Sequence, residues 1–233
     1  MKKDIAIVID ELIGAMDNSM VGQWDIETGH WTTCSTKWGR VGKIMLDESG
    51  NRWMTTGIEP NQWLTAVPMD DPMLTLDDVT KLFLAVPYPI TGTKISANRE
   101  WTIANPDVMQ KTPLIWLLEI IRLTEFGRDA SLEFESDLRL FFLDETNVAQ
   151  FYTMDARQNV VQPMDQMIDE FIKTINRDKR FKRVLETQRI TFARFGVEKD
   201  NGMFQNILDA NLSGVELRIN LKKFKENCIN CLI

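Results

Sequence analysis

This sequence predicts an α+β fold: a small Trp-rich antiparallel β-barrel or sandwich, then an α+β unit with one main amphipathic helix on an antiparallel sheet. Three observations predict it. Short β-rich runs follow one another about every ten residues between Gly22 and Pro68, with turn chemistry between them. A one-sided helical stripe opens at Pro163. Strands precede that stripe and resume after it, the order of an α+β chain.

The composition supports a packed core. Of 233 residues, 44% are apolar and 26% charged, which disfavours both disorder and a disulfide-dependent miniprotein. A net charge of −7 argues against nucleic-acid binding by the whole surface. No run reaches the roughly 18 apolar residues of a membrane helix, and Met1-Lys2-Lys3-Asp4 does not lead into a secretory leader. Three cysteines are too few for a disulfide scaffold and point to a reducing compartment. No membrane partner is expected.

Residues 1–17 read as an N-terminal helix, since Ile5, Ile9, Leu12 and Ile13 recur at spacings of three and four. Gly14 and the cluster Asp17-Asn18-Ser19 stop it. Residues 18–72 read as the Trp-rich β domain, with turns at Glu27-Thr28-Gly29, Glu48-Ser49-Gly50-Asn51 and Glu59-Pro60-Asn61. Five of the seven tryptophans lie here: Trp24, Trp31, Trp38, Trp53 and Trp63. A small barrel needs large side chains to fill it, so core packing is the preferred reading over a stacking platform for a base or sugar. Pro68-Met69-Asp70-Asp71-Pro72 reads as a linker.

Residues 73–233 read as the α+β domain. Lys81–Val86 and Arg99–Ala104 are expected to be strands, joined by a long loop over Pro87–Lys94. The apolar run from Pro113 to Ile121 suits a buried strand or a buried helix equally. Leu132–Leu143 is a clearer strand, stopped by Asp144-Glu145-Thr146-Asn147. Met164, Met167, Ile168, Phe171, Ile172 and Ile175 then share one helical face. Two late strands, Ile190–Val197 and Val215–Leu221, are expected to flank a loop and short helix containing Asn201-Gly202 and Asn206–Asp209.

Chemical motifs are sparse. Thr91-Gly92-Thr93-Lys94 lacks the upstream glycine of a phosphate-binding loop, and neither a dinucleotide fingerprint nor a nucleophile elbow is present. His30 is the only histidine. It stands four residues from Cys34, on the same face if the strand is regular, but the turn at Gly29 already accounts for it. Cys228-Ile229-Asn230-Cys231 has the spacing of half a zinc or redox site without the other half. The carboxylate groups Asp77-Asp78, Glu133 with Glu135, and Asp165 with Asp169-Glu170 read as solvated surface. No catalytic residue, metal site or cofactor is expected.

The least random feature is electrostatic. Residues 1–80 carry −7, residues 81–160 carry −3 and residues 161–233 carry +3. Within the last third, Lys173, Arg177, Lys179, Arg180, Lys182, Arg183, Arg189 and Arg194 face only Asp178 and Glu186. Three readings compete: contact with nucleic-acid phosphates, docking on the acidic end of a neighbouring copy, and a solvated helix end whose cations suit the C-terminal dipole.

The order of Pro113-Leu114-Ile115-Trp116-Leu117-Leu118-Glu119, Ser136-Asp137-Leu138-Arg139-Leu140-Phe141-Phe142-Leu143-Asp144, the helix from Pro163-Met164 to Phe171-Ile172, and Leu212-Ser213-Gly214-Val215-Glu216-Leu217 resembles small virion proteins of crAss-like tailed bacteriophages. It is also similar to tail-completion proteins. The resemblance covers roughly residues 80–222 and implies a homo-oligomeric ring in the neck or tail, a head-to-tail connector or tail-completion subunit lining or supporting the DNA channel. The Trp-rich region lies outside the tail-completion pattern. Implied partners are other copies, adjacent neck or tail rings or the portal, and packaged DNA in non-specific contact. The implied location is the virion, with the host cytoplasm during assembly. No catalytic residues come with the resemblance. A carbohydrate- or nucleic-acid-binding module built on the Trp-rich domain is the alternative, and a metal- or thiol-dependent enzyme using His30, Cys34, Cys228 and Cys231 is third.

Overall fold

The computed structural model describes residues 4–103, 111–126, 133–146, 153–198, 200 and 204–224. It is an α+β molecule, a closed six-stranded antiparallel barrel followed by a larger sheet carrying one long helix.

Helix α1 (Ile5–Gly14) opens on Asp4, whose side chain accepts from the Ala6 amide at 3.1 Å. Val8, Ile9, Leu12 and Ile13 are its buried stripe. The barrel strands are β1 (Ser19–Asp25), β2 (His30–Thr33), β3 (Ile44–Asp47), β4 (Arg52–Glu59), β5 (Trp63–Pro68) and β6 (Lys81–Leu84), closed in the order β1-β2-β5-β4-β3-β6. The expected turns sit where strands reverse: Gly29, Gly50 and Asn61 have φ of 70°, 85° and 57°, conformations that glycine and asparagine adopt most readily. Closure depends on β6, which lies beyond Pro68–Pro72 in sequence and pairs with both β1 and β3. The barrel therefore draws its last strand from beyond the expected linker.

Tryptophan fills this barrel. Trp31, Trp38 and Trp53 are buried, and each indole N–H finds an acceptor: Val79 O at 2.7 Å, Ala85 O at 3.2 Å and Asp47 Oδ2 at 3.0 Å. Gly22 makes room for one of them, because a Cβ there would fall 2.8 Å from the Trp31 ring.

The larger sheet has the order β11 (Thr187–Phe192), β14 (Leu212–Phe224), β10 (Glu133–Glu145), β8 (Leu114–Leu118) and β7 (Tyr88–Gly92), with β9 (Arg122–Phe126) also paired to β10. Its centre is β10 (Glu133–Glu145) and β14 (Leu212–Phe224), paired in full register from Glu133 opposite Phe224 to Glu145 opposite Leu212. The ambiguous apolar run resolves as a strand, β8 (Leu114–Leu118), buried on both faces as a central strand should be.

Two expectations between residues 87 and 104 are corrected. The supposed loop contains the edge strand β7 (Tyr88–Gly92), parallel to β8. Pro89 is tolerated because an edge strand can lack one amide donor. Of the supposed strand Arg99–Ala104, residues 99–103 fall in helix α2 (Lys94–Ile103), part of the crossover that a parallel pair requires, and Ala104 lies outside the described residues. Ala97 and Trp101, four apart, are its buried positions, and the Ser96 amide donates to the Thr93 hydroxyl at 3.3 Å.

Helix α3 (Gln162–Arg177) is the expected amphipathic helix, with Pro163 in its first turn. A wider helical turn over Arg157–Val161 leads into it. Met164, Met167, Ile168, Phe171 and Ile175 are buried against one sheet face, where Phe171 meets Phe142 at 5.6 Å between ring centroids. The late strands are β11 (Thr187–Phe192), β12 (Gly196–Glu198), β13 (Phe204–Asn206) and β14. Asn206 ends a strand and residues 207–210 are bends, so the expected short helix is absent there; Asn201-Gly202 lies outside the described residues.

The barrel, α1, α3 and the α3-side face of the sheet share one apolar core. A second core lies on the opposite sheet face, around Trp116, Phe141 and Phe195.

Candidate functional site

The eight basic residues singled out by sequence have different surroundings. Arg180 makes a bidentate contact with Asp178 and reaches Glu11 of α1 at 2.7 Å, so it ties the end of α3 to the first helix. Arg189 on β11 bridges to Asp165 at 2.8 Å and Asp169 at 2.6 Å, pinning the edge strand on α3. Lys173 pairs with Glu170 at 2.6 Å. Lys182 and Arg194 are engaged as well. Among the described residues, Arg177, Lys179 and Arg183 are exposed and make no ion pair. The surplus positive charge that remains is concentrated at the C-terminal end of α3.

The other candidates do not converge. His30 lies flat on Trp63, with ring centroids 4.0 Å apart and planes 12° apart. Strand β2 ends at Thr33, so the regular register that would align His30 with Cys34 stops one residue short; Cys34 is exposed. Cys228 and Cys231 lie outside the described residues. Glu135 contacts Lys222 at 3.3 Å, and the Glu133 side chain is outside the described ones. Asp77 and Asp78 are exposed. Among the described residues, no group of three His, Cys, Asp or Glu side chains comes together as a metal site would. Of the five barrel-region tryptophans, only Trp24 and Trp63 are more than marginally accessible, which leaves the stacking-platform reading a single partly covered ring pair, His30 on Trp63.

One concavity among the described residues is marked by no motif in the sequence. It is a groove of about 840 Å³ on the sheet face opposite α3 and the barrel. Strand pairing sets Ile90, Trp116, Phe141, Glu216 and Ile190 in one row across five strands. Trp116 stacks on Phe141 at 5.0 Å and meets Phe195 edge-on at 6.1 Å, with the Trp116 N–H donating to Gly92 O at 3.0 Å. α2 contributes Lys94 and Ile95 to the rim, and β12 contributes Val197.

One end of this apolar trough is charged. Arg139 and Arg218 stand opposite each other on β10 and β14, a repulsive pairing on its own. Glu216 resolves it, accepting from Arg139 Nε at 2.6 Å and Arg218 Nε at 2.7 Å. Burial works against the Glu216 carboxylate, but the two guanidiniums outweigh it and hold its pKa below the ordinary value. Glu216 is 2% exposed while its partners are 41% and 43% exposed, so the triad presents a net positive charge to the groove. Only the alternations Arg139-x-Phe141 and Glu216-x-Arg218 signal it in the sequence. The arrangement can hold an apolar group beside an anion.

No helix among the described residues is long and apolar enough to cross a membrane. The chain matches no protein-family model and no curated protein sequence.

Proposed function

We propose that this chain is a non-enzymatic structural subunit that associates head to tail with copies of itself into a ring in the neck or tail of a tailed bacteriophage of the crAss-like kind. The ring lines or supports the path of packaged DNA. Its work is assembly: contacts between copies and with adjacent neck, tail or portal rings keep the channel continuous. The placement in a virion rests on the resemblance carried by residues 113–119, 136–144, 163–172 and 212–217.

The observation that carries the assembly reading is the separation of complementary surfaces. The first 80 residues, with net charge −7, build α1 and most of the barrel on one side of the sheet. The apolar groove with its exposed guanidiniums faces the other way. Unlike surfaces on opposite sides of one subunit favour heterologous contacts, which close into rings when the rotation permits. Within the basic segment, Arg177, Lys179 and Arg183 are exposed and available to DNA phosphates or a neighbour's carboxylates.

The test is the mass of the purified full chain by light scattering and native mass spectrometry, with electron microscopy of the same sample. A closed oligomer of fixed copy number supports the reading. A monomer at every concentration overturns it.

A further inference from the structure

We propose that the Trp116–Phe141–Phe195 groove is the socket for the β1–β2 hairpin tip of a second copy, with Ile26 as the apolar knob and Glu27 as the anion beside it. This inference rests on the ring reading and names the surfaces that form its joint.

Ile26 is 87% exposed at the tip of a hairpin, flanked by Asp25 and Glu27. An isolated exposed isoleucine needs no explanation; one held on a rigid tip between two carboxylates is a shaped feature. The tip is rigid because Asp25 accepts from the Glu27 amide at 2.9 Å and from the Thr28 hydroxyl at 2.9 Å, with Gly29 in the left-handed region at φ 70°. Asp25 is thus occupied within its own turn. Among the described residues, Glu27 has no side-chain partner.

The groove offers the converse. Its floor is aromatic, and Ile120 and Ile190 on its rim are 69% and 37% exposed. Its charged end carries two half-exposed guanidiniums around one carboxylate, so it has hydrogen-bond donors to spare for a second carboxylate. Apolar meets apolar and the free carboxylate meets the spare guanidinium edges. Of the other exposed apolar residues in the acidic region, Val21, at 68%, has no carboxylate beside it in sequence, and near Met73, at 84%, Asp71 accepts from the Met73 amide at 2.9 Å while Asp70 is paired with Arg52.

A chain's own tip cannot fill its own groove. The barrel shares its core with the α3 face of the sheet, and the groove opens on the opposite face. The contact therefore runs from one copy to the next, with a knob on one side and a socket on the other.

The test uses two variants of the full chain, Ile26→Asp for the knob and Ile190→Asp for the socket, both at exposed positions, with Met73→Asp as control. Circular dichroism and melting should match the parent for all three. Each of Ile26→Asp and Ile190→Asp should lose assembly, while Met73→Asp should assemble as the parent does. Mixed together, the two defective variants should give a discrete 1:1 dimer, since one intact knob and one intact socket remain. An oligomeric parent whose Ile26→Asp variant still assembles overturns this inference alone, as does a mixture that yields no dimer. A native mass showing an amphipathic anion in the parent's groove, with assembly insensitive to Ile26→Asp, also overturns it. A parent that is monomeric throughout overturns the ring reading and the inference with it.

Discussion

Lys43 of the barrel places its ammonium 2.8 Å from Oδ1 of Asp144, at the end of β10, and Arg40 meets the other oxygen at 3.0 Å. Asp144 is 1% exposed and its partners 13% and 12%, so the barrel is clamped to the sheet by a nearly dry ion triad. Lys43 also donates to the Thr112 hydroxyl at 2.7 Å. Burial pushes the Lys43 ammonium pKa down, and Asp144 opposes that push. Removing the one carboxylate strands two buried cations. Asp144→Asn should therefore cost about 3–5 kcal/mol, read from urea unfolding. A variant within 1 kcal/mol of the parent, on that same scale, would mean that water reaches the triad.

Phe171 is fully buried between α3 and the sheet, against Phe142. Phe171→Ala should cost about 3–5 kcal/mol, because the cavity adds to the lost transfer energy. Melting within a degree or so of the parent would show that α3 is not a core element.

Asp17 supplies a pH test. Burial works to raise its carboxyl pKa, but Lys37, at 2.8 Å, and the Ser19 hydroxyl and amide together bring it down to about 2. The folded value lies below the unfolded value of about 4, so the stabilisation is present above pH 4 or so and is lost as the pH falls through about 2. Half of the Asp17 side chain is exposed, so the effect is modest. Asp17→Asn should be less stable than the parent near neutrality, and the gap should close in strong acid. A gap that stays constant down the acid limb would contradict the pairing.

Within the basic segment, structure divides charges that sequence grouped. Arg180→Glu should lower the melting temperature, because it sets a carboxylate beside Asp178 and Glu11. The double reversal Arg177→Glu with Arg183→Glu should leave melting nearly unchanged, as exposed positions usually do. It should instead alter DNA retention or the salt response of assembly. A double variant unchanged in both would assign these residues to a solvated helix end.

Much of this fold is legible because periodicity reports burial directly. The α3 stripe follows from which face is covered, and the turns follow from Gly29, Gly50 and Asn61. The misreadings have local causes. Two prolines, Pro87 and Pro89, disguised an edge strand as a loop. α2 buries only Ala97 and Trp101, too narrow a stripe to register as a helix. β6 closes the barrel from beyond an apparent linker, a long-range pairing with no local mark. The groove was invisible for the same reason. Its row of Ile90, Trp116, Phe141, Glu216 and Ile190 comes from five strands spread over a hundred residues and meets only through sheet register.

The central claim is that copies of this chain join through unlike surfaces into a closed ring. The most direct measurement is the native mass of the purified chain across a concentration series, at low and at high salt. The account predicts a single closed stoichiometry that does not grow with concentration and that loosens as salt rises, since carboxylates and guanidiniums meet at the joint. A monomer under every condition, or an oligomer that keeps growing as concentration rises, would contradict it.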